Sequence, residues 1–166
     1  MSFPSNETIY GQVTYNGVKY DLLNNPLGNN EWEKIQKYKK THNAIISTAP
    51  WNVNSYQWKI IDDKLYLVGV TLKFYKNDKI TFDIVEKECM VDIFKNESIF
   101  INYFNGTLKL LVSKKEIQIE KNNWRCICER DILLLRFDNG IISNIKKYTE
   151  QYKSNSLKYL FEYCET

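Results

Sequence analysis

One histidine, four cysteines and a few clustered carboxylates are the residues of this chain whose types could do chemistry. A nucleophile–imidazole triad, or any imidazole acid–base pair, has a single possible occupant in His42. That residue follows a run of lysines and precedes a strand-like stretch, a setting that suits a surface loop. Cys126-x-Cys128 would put two thiols on one face of a strand, which can begin a zinc site. The remaining ligands would have to be Cys89, Cys164 or His42, none in a paired spacing. Two small buried thiols are the simpler reading, and no metal or cofactor is expected. The six glycines are scattered over turns, so no glycine-rich phosphate loop is formed.

The carboxylates form two groups besides the turn pair Asp62-Asp63. Asp83, Glu86, Glu88 and Asp92 fall on the polar side of a helical spacing in which Val85, Cys89, Met90 and Ile93 form the apolar side. Glu129-Arg130-Asp131 stands between two strand-like runs, where three charges would pair, cap or line a pocket. Ion pairs and turns outnumber active sites in such places.

These residues need elements to position them, and the elements are mostly strands. Aromatic residues make up 14% of the chain, half of them tyrosines, which suits strands with one wet face as well as protein-binding surfaces. Trp58 and Ile60, then Leu65, Leu67 and Val70, alternate on either side of Asp62-Asp63-Lys64 and specify a hairpin. Tyr10 to Leu22 brackets Asn16-Gly17, the dipeptide that best accepts two positive φ values, and so specifies another. Asn105-Gly106 predicts a third between strands at Ser98–Phe104 and Thr107–Val112, and Asn139-Gly140 a turn into Ile141–Lys147. Further strands are expected over Asn43–Thr48, Ile80–Ile84 and Glu116–Glu120, and a pair at Trp124–Cys128 and Ile132–Phe137. Helices are expected from Glu31 to Lys40, capped by Asn30 with Trp32, Ile35 and Tyr38 inward, over Val85–Phe94, and over Ser154–Cys164. The expected architecture is mainly β (α+β), one domain: an antiparallel meander or partly closed barrel with two or three small helices.

Lys and Arg exceed Asp and Glu by only three. The basic residues are spread along the chain, so composition does not point to nucleic acid. No stretch is apolar enough for a membrane span, and the first residues lack the features of a signal peptide. A cytoplasmic setting with reduced thiols is expected.

Several phrases together resemble a bacterial family with no assigned reaction. They are Tyr15-Asn16-Gly17-Val18-Lys19-Tyr20, Asn25-Pro26-Leu27, Ser47-Thr48-Ala49-Pro50-Trp51, Asp63-Lys64-Leu65-Tyr66-Leu67, Phe104-Asn105-Gly106-Thr107-Leu108, and Glu129-Arg130-Asp131 leading to Leu134 and Phe137. The family pattern continues Arg-Gly-Tyr after the tryptophan, whereas this chain reads Asn52-Val53-Asn54-Ser55-Tyr56. The resemblance implies a shared fold and carries over no catalytic residue.

The expected function is that of a non-enzymatic immunity-type binding protein, which neutralises a protein toxin domain by covering its active site. Contact-dependent growth inhibition is the setting in mind. Its partner-binding residues are expected in the divergent loop, at Trp51, Asn54 and Tyr56, and on the acidic face Asp83, Glu86, Glu88 and Asp92. The rival is an enzyme or small-ligand binder with a polar pocket near Glu129, Arg130 and Asp131. Nucleic-acid binding through exposed Tyr and Lys ranks below both.

Overall fold

The computed structural model describes residues 9–46, 54–76, 83–120 and 125–154. Two short strands, β1 (Gln12–Tyr15) and β2 (Val18–Leu22), lead to helix α1 (Asn29–Thr41). Strands β3 (Asn54–Ile61), β4 (Lys64–Tyr75) and β5 (Ile84–Glu88) follow, then the one-turn helix α2 (Met90–Phe94). The two-residue β6 (Ile99–Phe100) precedes three long strands, β7 (Gly106–Glu120), β8 (Arg125–Asp138) and β9 (Ile141–Ser154). The mainly β, α+β expectation holds.

All the strands belong to one sheet, in the order β3-β1-β2-β7-β8-β9-β4-β5, with β6 against β4. Because β3 also pairs with β4, the path returns on itself and makes a ring. Every pairing is antiparallel except β1 with β3, where Gln12 to Thr14 run parallel to Gln57 to Lys59. The ring closes between β4 and β9 at one register pair, Lys64 with Ile141. Leu65 N donates to Gly140 O at 2.9 Å and Ile142 N to Asp63 O at 2.8 Å, so two hairpin tips butt together there.

Three turns take positive φ at both central residues: Asn16-Gly17 (51° and 77°), Asp62-Asp63 (51° and 62°) and Asn139-Gly140 (49° and 77°). That geometry matches the right-handed twist of the flanking strands. Inside the ring the alternating side chains of β3, β4, β7 and β8 meet. Trp58, Leu65, Leu67, Val70, Leu72, Leu108, Leu110, Leu135 and Phe137 are buried. Each large apolar side chain so placed stabilises the fold by about 1.5–3 kcal/mol. Ile35 from α1 and Met90 and Phe94 from α2 belong to the same core.

Several elements differ from expectation. Val85–Phe94 is not one helix: β-branched Ile84 and Val85 pair with β4, and only the last five residues coil. The spacing misled because a strand face followed by a single turn imitates a helical stripe. Asn105-Gly106 is not a hairpin, for neither residue has positive φ. Asn105 instead accepts from Asn139 N through its side chain at 2.8 Å, while β6 pairs with β4 and β7 with β8. The runs around Glu129-Arg130-Asp131 form one strand, β8, whose alternation hides the charges in mid-strand. β7 is likewise continuous through two bulges, between Leu111 and Ser113 and between Glu116 and Gln118.

Helix α1 begins earlier than expected and Asn30 does not cap it. Gly28 stands at the cap position, and the Tyr103 hydroxyl closes the end by accepting from Gly28 N (3.1 Å) and donating to Glu31 (2.7 Å). Trp32 does not face inward, being 52% exposed, whereas Lys39 is buried and its amine is pushed down in pKa by that burial. Asn43 to Ile46 lie outside any strand, although Ile45 N donates to Lys73 O. The expected helix at Ser154–Cys164 lies outside the described residues, except for Ser154, which ends β9.

Candidate protein-binding surface

β5 lies at one end of the strand order and pairs only with β4 among the described residues. Register places Tyr75 opposite Ile84, Lys73 opposite Glu86 and Thr71 opposite Glu88. Directly paired residues share a face, and residues two apart along a strand share it too. Tyr75, Ile84, Lys73, Glu86 and Glu88 are therefore neighbours on one side of the sheet. Tyr75 is 39% and Ile84 55% exposed, so a cross-strand aromatic–aliphatic pair stands in water at the sheet edge. Lys73 and Glu86 form a loose ion pair of 3.9 Å beside it.

Glu88 holds this edge to the rest of the molecule. Its Oε1 accepts from Val70 N (3.1 Å) and from Met90 N (2.8 Å), and its Oε2 accepts from Thr71 Oγ1 (3.4 Å). Met90 opens α2, so this carboxylate satisfies a helix-end amide and favours the positive end of the turn. Asp83 is exposed where β5 begins, its carbonyl accepting from Lys76 N at 2.7 Å. On the other face Lys87 lies over the Phe74 ring, 5.3 Å from its centroid.

The acidic group expected on one helical face is thus divided. Glu86 and Glu88 share a strand face, Asp83 sits at the strand entry on the opposite parity, and Asp92 belongs to α2. Asp92 accepts from the Tyr38 hydroxyl at 3.1 Å and so links α2 to α1. The Tyr38 hydroxyl is pushed well up in pKa, first by burial and then by Asp92. His42 stacks on the same ring, with centroids 3.9 Å apart, and its Nδ1 lies 3.0 Å from Tyr38 O. Cys89 is buried at this junction and burial pushes its thiol up, which disfavours the nucleophilic thiolate. These groups lock α1, α2 and β5 together.

Of the loop residues expected to bind a partner, Tyr56 is corrected: it is only 9% exposed and packs in the core. Its place on β3, opposite Val70, turns the ring inward. Asn54 opens β3, but its side chain lies outside the described residues, as does Trp51 altogether. Tyr75 and Ile84 were missed, since a helix was expected across Val85 and only a register assignment brings them together.

The alternative cluster does not converge either. Strand alternation turns Glu129 and Asp131 to one face of β8 and Arg130 to the other. Asp131 accepts from Thr149 Oγ1 (2.6 Å) and Ser113 Oγ (2.8 Å), and these two hydrogen bonds hold its carboxyl below the usual range. Glu129 pairs with Lys115 at 3.2 Å. On the opposite face buried Arg130 pairs with Glu150 of β9. Each charge ties β8 to a neighbouring strand rather than lining one pocket. Cys128 is buried, and the side chain of Cys126 lies outside the described residues.

Among the described residues no three His, Cys, Asp or Glu side chains are grouped to hold a metal ion. No helix among them is long and apolar enough to cross a membrane. Compared with known proteins, the chain matches no family model, no curated protein and no solved structure.

Proposed function

We propose that this chain is a cytoplasmic, non-enzymatic binding protein of the immunity type, which neutralises a protein toxin domain by covering its active site, as in contact-dependent growth inhibition. The observation that carries the reading is the β4–β5 edge. Tyr75 and Ile84 form an exposed apolar anchor with Glu86 beside it and Asp83 at its end. Interfaces are built this way, with an aromatic and aliphatic centre inside a polar rim. Asp83 and Glu86 offer carboxylates to basic groups of a toxin groove, although Lys73 and Lys76 stand beside them and the whole chain carries +3.

The test is to express this chain, as wild type, Ile84→Asp or Glu86→Lys, in growth assays with a toxin domain sought in the neighbouring gene. Both positions are exposed, so circular dichroism should show both variants folded. Loss of protection, with binding weakened by about 2 kcal/mol for Ile84→Asp, is expected. Full protection by both folded variants would remove this edge from the interface.

A further inference from the structure

β9 is a 14-residue strand that pairs with β8 along its length and with β4 only at Ile141. From Ser143 onward its outer side has no strand neighbour among the described residues. Ser143 to Lys147, Thr149 and Gln151 are exposed. The hydrogen bonds fix which backbone groups this side offers. The register with β8 slips between Arg136 and Phe137, then runs regularly from Asn144 to Ser154. Ile145 N is held by its neighbour's side chain, Asn144 Oδ1, at 3.0 Å, and so does not point to β8. Antiparallel pairs alternate, so the odd residues Lys147, Thr149 and Gln151 also turn their amides outward, while even residues bond to β8.

A row of open amides is a template for another strand, and Lys146 and Lys147 guard it against indiscriminate pairing. The same lysines select what can pair. In a two-fold antiparallel arrangement outward residues must meet outward residues, so the axis passes through a residue. An axis at Lys146 or Lys147 sets like charges together, and one at Glu150 does the same. An axis at Thr149 places Lys146 opposite Tyr152 and matches no charge. An axis at Tyr148 sets Lys146 opposite Glu150 twice, pairs Lys147 with Thr149 through backbone bonds, and brings the two Tyr148 side chains face to face. Opposite charges directly across a ladder are favourable and like charges are not. Glu150 is oriented already by Arg130.

We propose that the β9 edge is a self-association surface: a second copy of this chain adds through its own β9, antiparallel and centred on Tyr148, joining the two sheets. A ladder this short belongs with weak, concentration-dependent dimers. The surface is separate from the β4–β5 edge and leaves that edge free.

Sedimentation over a dilution series tests this with wild type, Lys147→Pro and Lys146→Glu. Proline at Lys147 removes an outward amide and keeps the bonds to β8, a position where edge strands tolerate it. Wild type should pass from dimer to monomer on dilution. Each variant should weaken the dimer by about tenfold or more, Lys146→Glu by facing Glu150 with a like charge. The register is read by Tyr148→Cys in a chain with Cys126 and Cys164 replaced by serine. Mild oxidation should link two copies through Cys at 148, where Cα atoms of such a pair are about 4.5 Å apart, and not through Asn144→Cys. Wild type that stays monomeric throughout, dimers undiminished in both variants folded by circular dichroism, or cross-linking at 144 rather than 148 would each overturn the proposal. So would growth beyond a dimer, which a head-to-tail β5–β9 contact would give.

Discussion

Two of the open edges among the described residues of the sheet, β5 and β9, are finished in opposite ways. β5 is five residues long, its face carries Glu86 and Glu88, and its end is tied down by one carboxylate that reaches two backbone amides. β9 is nearly three times longer, offers Lys146 and Lys147, and is held to β8 by a ladder of backbone bonds and by side-chain links that include the Arg130–Glu150 ion pair and the Thr149–Asp131 bond. A short edge next to a helix turn can expose apolar side chains safely, because few open amides accompany them. A long edge exposes more open amides alongside its apolar side chains, here Ile141 and Ile145, and its lysines and the Asn144 side chain that occupies Ile145 N limit what can pair with it. The difference separates a surface read through side chains from one read through backbone.

The largest way to break this contrast lies in the turn that launches β9. Gly140 has φ +77°, and a Cβ there would stand 2.3 Å from Ile101 O. Gly140→Val should cost about 3 kcal/mol or more in denaturant titration, combining the φ penalty with a backbone clash. Gly17 has the same φ but nothing within 4 Å, so Gly17→Val should cost only about 1–2 kcal/mol.

Next is the carboxylate holding β5. Glu88→Ala leaves the amide of fully buried Val70 without that acceptor and uncaps Met90, and should cost about 2 kcal/mol by thermal or chemical unfolding. A smaller effect is expected at β9's link to β8. The folded-state pKa of Asp131 is depressed, so its stabilisation is present above the ordinary aspartate range and fades as pH falls through the folded value. Wild type should lose stability on acidification below about pH 4 more steeply than Asp131→Asn, as followed by melting temperature against pH. Least of all, Glu86→Gln should change stability by less than about 0.5 kcal/mol, since its ion pair with Lys73 is long and exposed. That near-silence makes Glu86 a clean probe of binding.

How far these regions could be read from sequence follows from the range of the interactions that make them. Asn16-Gly17, Asp62-Asp63 and Asn139-Gly140 are local devices, and each marks a turn where the structure has one. Asn105-Gly106 has the same letters, but Asn105 acts on Asn139, 34 residues away, which no local pattern shows. The split of β8 into two strands came from Glu129-Arg130-Asp131, whose charges are tolerable in mid-strand only because Lys115, Ser113, Thr149 and Glu150 stand on adjacent strands. Tyr75 and Ile84 become a pair only once β4 and β5 have a register. The fold class was legible because alternation is local. The surface was not, because its pairs exist only once a register between β4 and β5 is assigned.

The seam where the Asp62-Asp63 and Asn139-Gly140 tips meet gives the ring an unequal circumference. The other joins run from two register pairs between β2 and β7 to thirteen between β7 and β8, from Gly106–Phe137 to Glu120–Arg125, whereas the seam is one rung wide. Under a pulling force or a local fluctuation a closed ring parts at its narrowest join, and this one can part without breaking either hairpin. The molecule is then best regarded as a clasped strap: two self-sufficient hairpin tips, fastened by backbone bonds at Leu65 and Ile142, whose release would open the sheet while both turns stay intact.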